Sequence, residues 1–477
     1  MDEIQVDVAV IGAGTAGLGA YRGAKKHASR VVLIEGGPYG TTCARVGCMP
    51  SKLLIAAAEA AHAVHRAPAF GVHPGEPLRI DGAEVMDRVR RERDRFVGFV
   101  EESVEAIPES DRLRGYARFV DNHHLQVDGR IVKAETIVIA TGSSPAVPSM
   151  FRDLGELLIV NDDVFEWETL PKAVAIFGPG VIGLELGQAL HRLGVRVRVF
   201  GRGGRIGPLT DPAVIENCAT VLGDEFYLDP DAPIGALYRE EDQVVITYKH
   251  SHGHQVTERF DFALAATGRT PNVRSLSLEN TDVKLTDRGQ PFFDPFTLQV
   301  GTSNIFIAGD ANNDRPLLHE AADEGRIAGE NAGRYPDIRA GLRRAPLGIV
   351  FSDPQIAMAG RSYTSLPDGC FAVGEVSFED QGRSRVMLKN KGMLRVYGEH
   401  GTGVFMGAEM FGPAAEHIGH LLAWAYQQKM TIAQMLDMPY YHPVIEEGLR
   451  TALRDLNAKL HLGPEPIEGC LDCGPGA

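Results

Sequence analysis

Short apolar runs closed by glycine-rich turns recur along the chain, in the same order twice. Val6 to Ile11 alternates as a short buried strand, Gly12-Ala-Gly-Thr-Ala-Gly17 follows at once, and an Ala-rich helical stretch comes after it. The next apolar run, Val31 to Ile34, ends on the acid Glu35. Further on, Ala173 to Phe177 predicts a strand, Gly178-Pro-Gly-Val-Ile-Gly183 the turn, Leu184 onward a helix, and Val195 to Phe200 the second strand. Each set has a later apolar strand ending in the same tripeptide, Ile137-Val-Ile-Ala-Thr-Gly142 in the first and Leu264-Ala-Ala-Thr-Gly268 in the second. This order predicts an α/β unit with a parallel sheet, and its return predicts two related domains.

Glycines at this spacing, between a strand and a helix, point to dinucleotide binding. The first makes the turn, the second lets backbone N–H groups approach a pyrophosphate, and the third lets the helix pack on the sheet. Glu35 and Gly201 both lie 18 residues after the third glycine of their set, so they correspond. An acid there hydrogen-bonds a free ribose 2′-hydroxyl and repels a 2′-phosphate. The second set offers Gly201, then Arg202 and Arg205, which favours NADP(H) over NAD(H).

With 477 residues, 44% of them hydrophobic, the chain has room for about three domains. A net charge of -15 argues against a nucleic-acid partner, and the one basic cluster, Arg88 to Arg95, has acids interleaved and reads as a solvated helix face. The acidic start Met1-Asp2-Glu3 is unlike a secretory signal, and no apolar run is long enough to cross a membrane, so the expected location is cytoplasmic. Six cysteines are too few for a secreted disulfide scaffold. Cys218 and Cys370 read as small core residues. Alternating His250, His252 and His254 read as an exposed hairpin turn, and no metal site is expected.

Cys43 and Cys48 carry the chemistry. They sit in Gly40-Thr-Thr-Cys-Ala-Arg-Val-Gly-Cys-Met-Pro-Ser-Lys52, where Gly47 and Pro50 allow the tight backbone that a disulfide across one helical turn requires. So strained a bond is easily reduced, which favours redox work over stapling. Far along the chain, Tyr440-Tyr-His442-Pro-Val-Ile-Glu-Glu447 puts Pro443 in a helix's first turn, His442 near its N-cap and Glu447 a turn later, within reach of the imidazole.

These residues resemble the class I pyridine nucleotide-disulfide oxidoreductases, which include dihydrolipoamide dehydrogenase, glutathione reductase and mercuric reductase, and the similarity covers nearly the whole chain. The resemblance implies an FAD site at Gly12, Gly14, Gly17, Glu35, Lys52, Thr141, Gly142 and Asp310, the last within Phe306-Ile-Ala-Gly-Asp310. A second nucleotide, NAD or NADP, is implied at Gly178, Gly180, Gly183, Arg202, Gly268 and Arg269. Cys43 to Lys52 matches the redox loop, departing from it at Thr42 and Arg45. Lys52 pairs with Glu185 by the same resemblance, and the third signature keeps His442 and Glu447 but has Tyr440 and Val444 where the family has His and Thr. Implied domains are residues 1–147 with 272–345 for FAD, 148–271 for NAD(P), 346–465 for dimerisation, and a Cys-x-x-Cys tail at 466–477.

The implied chemistry runs from reduced nicotinamide through FAD to the Cys43–Cys48 disulfide. Cys48 is the flavin-side thiolate, Cys43 the interchange thiol, and His442, from the other subunit of a homodimer, handles its proton with Glu447. Met49-Pro-Ser-Lys52 and Gly180-Val-Ile-Gly183-Leu-Glu185 read most like dihydrolipoamide dehydrogenase, whose partner is a lipoyl domain in a multienzyme complex. Alternatives are an NADPH-dependent glutathione, protein-disulfide or mercuric-ion reductase, or a docking subunit whose chemistry is secondary. Cys470 and Cys473 are read as a relay or as a dispensable tail.

Overall fold

A computed structural model describes residues 3–250 and 253–463. The chain divides into two compact units, Met1–Phe200 with Ala232–Arg344, and Gly201–Asp231 with the chain from Ala345 onward. His252, Cys470 and Cys473, with the 466–477 segment, lie outside the described residues. Among those described, no helix is long and apolar enough to cross a membrane.

The first unit holds both predicted α/β repeats. Its larger sheet runs Arg112–Arg114, Val31–Glu35, Glu3–Ile11, Arg130–Ile139, His124–Val127, Ala117–Phe119, and Ile305–Ile307 also pairs with Arg130–Ile139. The central strands are parallel and buried on both faces, which is why Val8 to Ile11 and Ile137 to Ile139 read as continuous apolar runs. The second sheet sets Arg196–Phe200, Ala173–Phe177, Phe262–Ala265 and Leu158–Ile159 side by side, all parallel. A three-stranded antiparallel ribbon, Ile234–Glu240, Gln243–Lys249 and Gln255–Phe260, completes that region. His250 and His254 stack at the tip of its last hairpin, with ring centroids 5.0 Å apart.

The repeat extends to single hydrogen bonds. Gly12 N donates to Ile34 O and Gly178 N to Phe200 O, each at 2.8 Å; Ala140 N donates to Ile11 O and Ala266 N to Phe177 O, again at 2.8 Å. Glu35 and Gly201 each follow the acceptor residue of their copy, so the backbone register supports their correspondence.

The second unit is an antiparallel sheet in the order Leu347–Val350, Gln355–Gly360, Phe405–Gly412, Met393–Glu399, Phe371–Ser377. Period-two alternation gives it two different faces. Leu394, Val396, Ala408 and Met410 pack beneath the helices Ala415–Gln427 and Glu447–Lys459. Arg395, Tyr397 and Glu409 turn to the other face, where residues 210–211 meet them.

Four local readings need correcting. Cys370 is exposed, because its strand starts only at Phe371 and the cysteine sits in the preceding turn. Arg93 is buried rather than solvated: its guanidinium spans Asp94, Glu166 and the carbonyl of Phe165. The second nucleotide helix begins at Val181, before Leu184. Pro443 lies outside the last helix, which starts at Glu447, and it follows a cis peptide bond from His442.

Candidate active site

Cys43 and Cys48 stand on either side of a helix break. Cys43 lies in the first turn of the short helix Thr42–Val46, and Cys48 opens the long helix Cys48–Arg66. Between them Gly47, at φ -128° and ψ -114°, leaves helical geometry and starts a new axis. The first helix is capped at both ends by side chains. Thr41 Oγ1 accepts from Ala44 N at 3.2 Å, and the buried Asn161 donates to Val46 O at 2.8 Å. The redox loop that this segment resembles begins Gly-Gly-Thr-Cys where this chain has Gly40-Thr41-Thr42-Cys43, so the departure lies at Thr41, not at Thr42. Thr41 sits at φ 56° and ψ 152°, a conformation that glycine tolerates and a β-branched residue does not.

Both cysteines are free thiols here, in hydrogen-bond contact with each other. They divide the work of holding one proton. The hydrogen bond from Cys43, with the nearby Lys52 charge, outweighs burial and lowers the Cys48 thiol to about 7. The same bond, reinforced by burial, pushes the Cys43 thiol up. The pair is therefore a thiolate at Cys48 accepting from a thiol at Cys43. Lys52 lies one turn along the same helix, and its Nζ is 2.7 Å from Oε2 of Glu185, a nearly buried acid on the helix Val181–Arg192.

The first nucleotide cradle fits an FAD. Gly12 and Gly17 leave no room for a side chain, since a Cβ would lie 2.3 Å from Ala140 O and 1.8 Å from Gly12 O. At Gly14 and Gly142 the same space is open, and Thr141 Oγ1 is buried with no partner in the protein. Glu35 Oε2 accepts from Ala13 N at 2.7 Å and Oε1 from Gly37 N at 2.7 Å, which fixes the carboxylate at the strand end. Asp310 accepts from Ser143 Oγ at 2.7 Å. The second cradle repeats the pattern, closed at Gly178 and Gly183 and open at Gly180 and Gly268. Arg269 directs Nε to Ser143 Oγ and Nη2 to Ser143 O, at 2.7 and 2.6 Å, and lies 3.9 Å from Asp310. Its donors thus meet Ser143, the residue that itself donates to Asp310.

In the second unit, Nδ1 of the exposed His442 lies 3.0 Å from Glu447 Oε2. Hydrogen bonding from that imidazole, with Val444 N and Arg450 close by, holds the Glu447 carboxyl below its usual range. Arg450 Nη2 reaches Oε1 of the same carboxylate at 3.1 Å and lies over the Tyr440 ring. Arg202 and Arg205 are exposed.

A family model for pyridine nucleotide-disulphide oxidoreductases matches residues 6–325, and the dimerisation domain of the same family matches residues 347–453. The chain belongs to this family. It is 31% identical to a mercuric reductase of Shigella flexneri over 94% of this chain and 80% of the relative. It is 29% identical to a dihydrolipoyl dehydrogenase of Haloferax volcanii over 94% of this chain and 95% of that one. Among solved structures it is similar in fold to the HOCl-induced flavoprotein disulfide reductase RclA from Escherichia coli, with TM-score 0.78, 23% identity, and 95% and 99% of the two chains covered. As a member of this family the protein is an oxidoreductase that uses FAD and NAD(P), and its dimerisation domain supports a homodimer.

Sequence reasoning missed Thr41, Ser143, Asn161 and Arg450. Ser143 directly follows the repeated Ala-Thr-Gly tripeptide and Arg450 lies one helical turn after Glu447, so position alone could have flagged both. Asn161 carries no local signal.

Two outcomes follow from this geometry. In reduced protein, alkylation of Cys48 by iodoacetamide rises with pH through about 7, because the thiolate is lost below the lowered pKa, and Lys52→Met moves that midpoint upward; peptide mass spectrometry reads both. Thr41→Gly raises stability by about 1 kcal/mol in a thermal melt, since relief of backbone strain exceeds the few tenths lost with the cap.

Proposed function

We propose that the protein takes a hydride from NADPH and passes two electrons through the Cys43–Cys48 pair to a small disulfide of the lipoamide type. The observation that carries this reading is the geometry of the pair: Cys43 and Cys48 in hydrogen-bond contact across the break at Gly47, with Lys52 one turn along the helix from Cys48 and 2.7 Å from Glu185. In this reading Gly12, Gly14, Gly17, Glu35, Lys52, Thr141, Gly142 and Asp310 hold FAD, which when bound accepts the hydride and supplies its two electrons to the disulfide. Gly178, Gly180, Gly183, Gly268 and Arg269 hold the nicotinamide dinucleotide.

The preference for NADPH rests on what stands where Glu35 stands in the first copy. At Gly201 a side chain is excluded, because its Cβ would lie 2.4 Å from Pro230 O. No acid can stand at this position, and Arg202 and Arg205 supply charge complementary to a 2′-phosphate.

Each step then has a residue. Cys43, raised as a thiol, needs a base to attack, and His442 of the partner subunit, held by its own Glu447, takes that proton. The Cys43 thiolate attacks one sulfur of the substrate disulfide, and a mixed disulfide forms as the first thiol leaves with the proton from His442. The Cys48 thiolate attacks the Cys43 sulfur, closing the Cys43–Cys48 disulfide and releasing the second sulfur as a thiolate, which takes its proton from water. Lys52 and Glu185 hold the charge balance beside Cys48 throughout.

A second reading, reduction of mercuric ion, is supported by the similarity to mercuric reductases. Steady-state rates with NADPH and NADH against lipoamide, glutathione disulfide, a thioredoxin and mercuric ion separate the readings. The proposed one predicts NADPH over NADH, lipoamide as best acceptor, loss of about 10³-fold or more with Cys43→Ser, and a fall of about 10²-fold with His442→Gln. Turnover of lipoamide that survives Cys43→Ser would contradict it.

A further inference from the structure

The loop after Phe200 carries Arg202 and Arg205, and the structure holds it at both ends within the second unit. At its start Gly201 N donates to Asp229 O and Gly203 N to Asp231 Oδ1, each at 2.7 Å. Buried Ile206 and Leu209 close its middle. At its end stands Glu409, wholly buried on the strand Phe405–Gly412. Its carboxylate accepts from Thr210 N at 2.7 Å, from Asp211 N at 2.9 Å, from Tyr363 N at 3.0 Å, and from the Thr210 hydroxyl. Asp211, equally buried, accepts from Arg395 Nη1 at 2.6 Å, from the Tyr397 hydroxyl at 2.9 Å and from Ala213 N at 3.0 Å.

A carboxylate removed from water costs several kcal/mol unless donors surround it, and an apolar side chain would fill the same space without that cost. Of the donors on Glu409, all but Tyr363 N come from residues 210 and 211. What the buried charge adds over an apolar residue is direction, because hydrogen bonds fix the exit of the loop as hydrophobic contact does not.

We propose that Glu409 is a positioning residue for NADPH: through Thr210 and Asp211 it fixes the loop that presents Arg202 and Arg205 to the 2′-phosphate. The inference rests on the NADPH reading above and extends it to the sheet of the C-terminal unit. Glu409 touches no nucleotide in this account. It sets where the arginines stand.

Calorimetric binding of adenosine 2′,5′-bisphosphate and of AMP isolates the 2′-phosphate, and is run on holoenzyme of wild type, Arg202→Ala, Glu409→Gln and Thr210→Val, each with a thermal melt. The wild type binds the bisphosphate more tightly than AMP, and Arg202→Ala narrows that gap. Glu409→Gln weakens the bisphosphate about tenfold and leaves AMP within twofold. Thr210→Val, which removes one hydroxyl donor and carries the test should Glu409→Gln fail to fold, does the same in smaller measure. Equal weakening of both ligands, or an unchanged gap in both variants beside a wild type that prefers the bisphosphate, overturns the role of Glu409 and spares the NADPH reading. A wild type without that preference overturns both.

Discussion

The contact between Lys52 and Glu185 is the point on which the site turns. Lys52 belongs to the helix that Cys48 opens, and Glu185 to the helix that follows the second glycine turn, so one 2.7 Å ion pair ties the redox helix to the second nucleotide unit. Glu185 is almost wholly buried, and an acid in that position requires a cation. Lys52 in turn lends positive charge to Cys48 and helps make it the thiolate of the pair. One interaction thus joins the fold of the first unit to the polarity of its chemistry.

Polarity in the redox loop has a backbone cause. A continuous helix through residues 42–66 would carry Cys43 and Cys48 to different faces, since five positions span well over one turn. The break at Gly47 restarts the helix and brings the sulfurs into contact. Thr41 Oγ1 and Asn161 then hold the two ends of the short helix that results. Divergence between the two nucleotide cradles is equally local. Their hydrogen bonds superimpose, and the difference that matters is one position, Glu35 in the first and Gly201 in the second.

Much of this was legible in the sequence because glycine spacing and apolar runs report backbone demands directly. The strands, both glycine turns and the Lys52–Glu185 pairing follow from such signals or from the family they resemble. Less legible were features decided by distant packing. Cys370 reads as core in an apolar run, yet the turn before its strand exposes it. Arg93 sits in a run of charges that spacing assigns to solvent, and only the fold brings Glu166 and the Phe165 carbonyl to it. The departure from the redox-loop pattern was placed one residue late, at Thr42, and the strain at Thr41 gave no signal, because composition does not report φ. Glu409 gave no signal, since Thr210 and Asp211 lie some 200 residues away.

Central to the account is that Cys43 and Cys48 cycle between a disulfide and a dithiol under the control of NADPH. Differential alkylation of the FAD-loaded protein, before and after one equivalent of NADPH, followed by peptide mass spectrometry, measures this directly. The account predicts a Cys43–Cys48 cross-linked peptide before NADPH, and alkylation of both cysteines after it. Equal alkylation of the two cysteines before and after NADPH would contradict it.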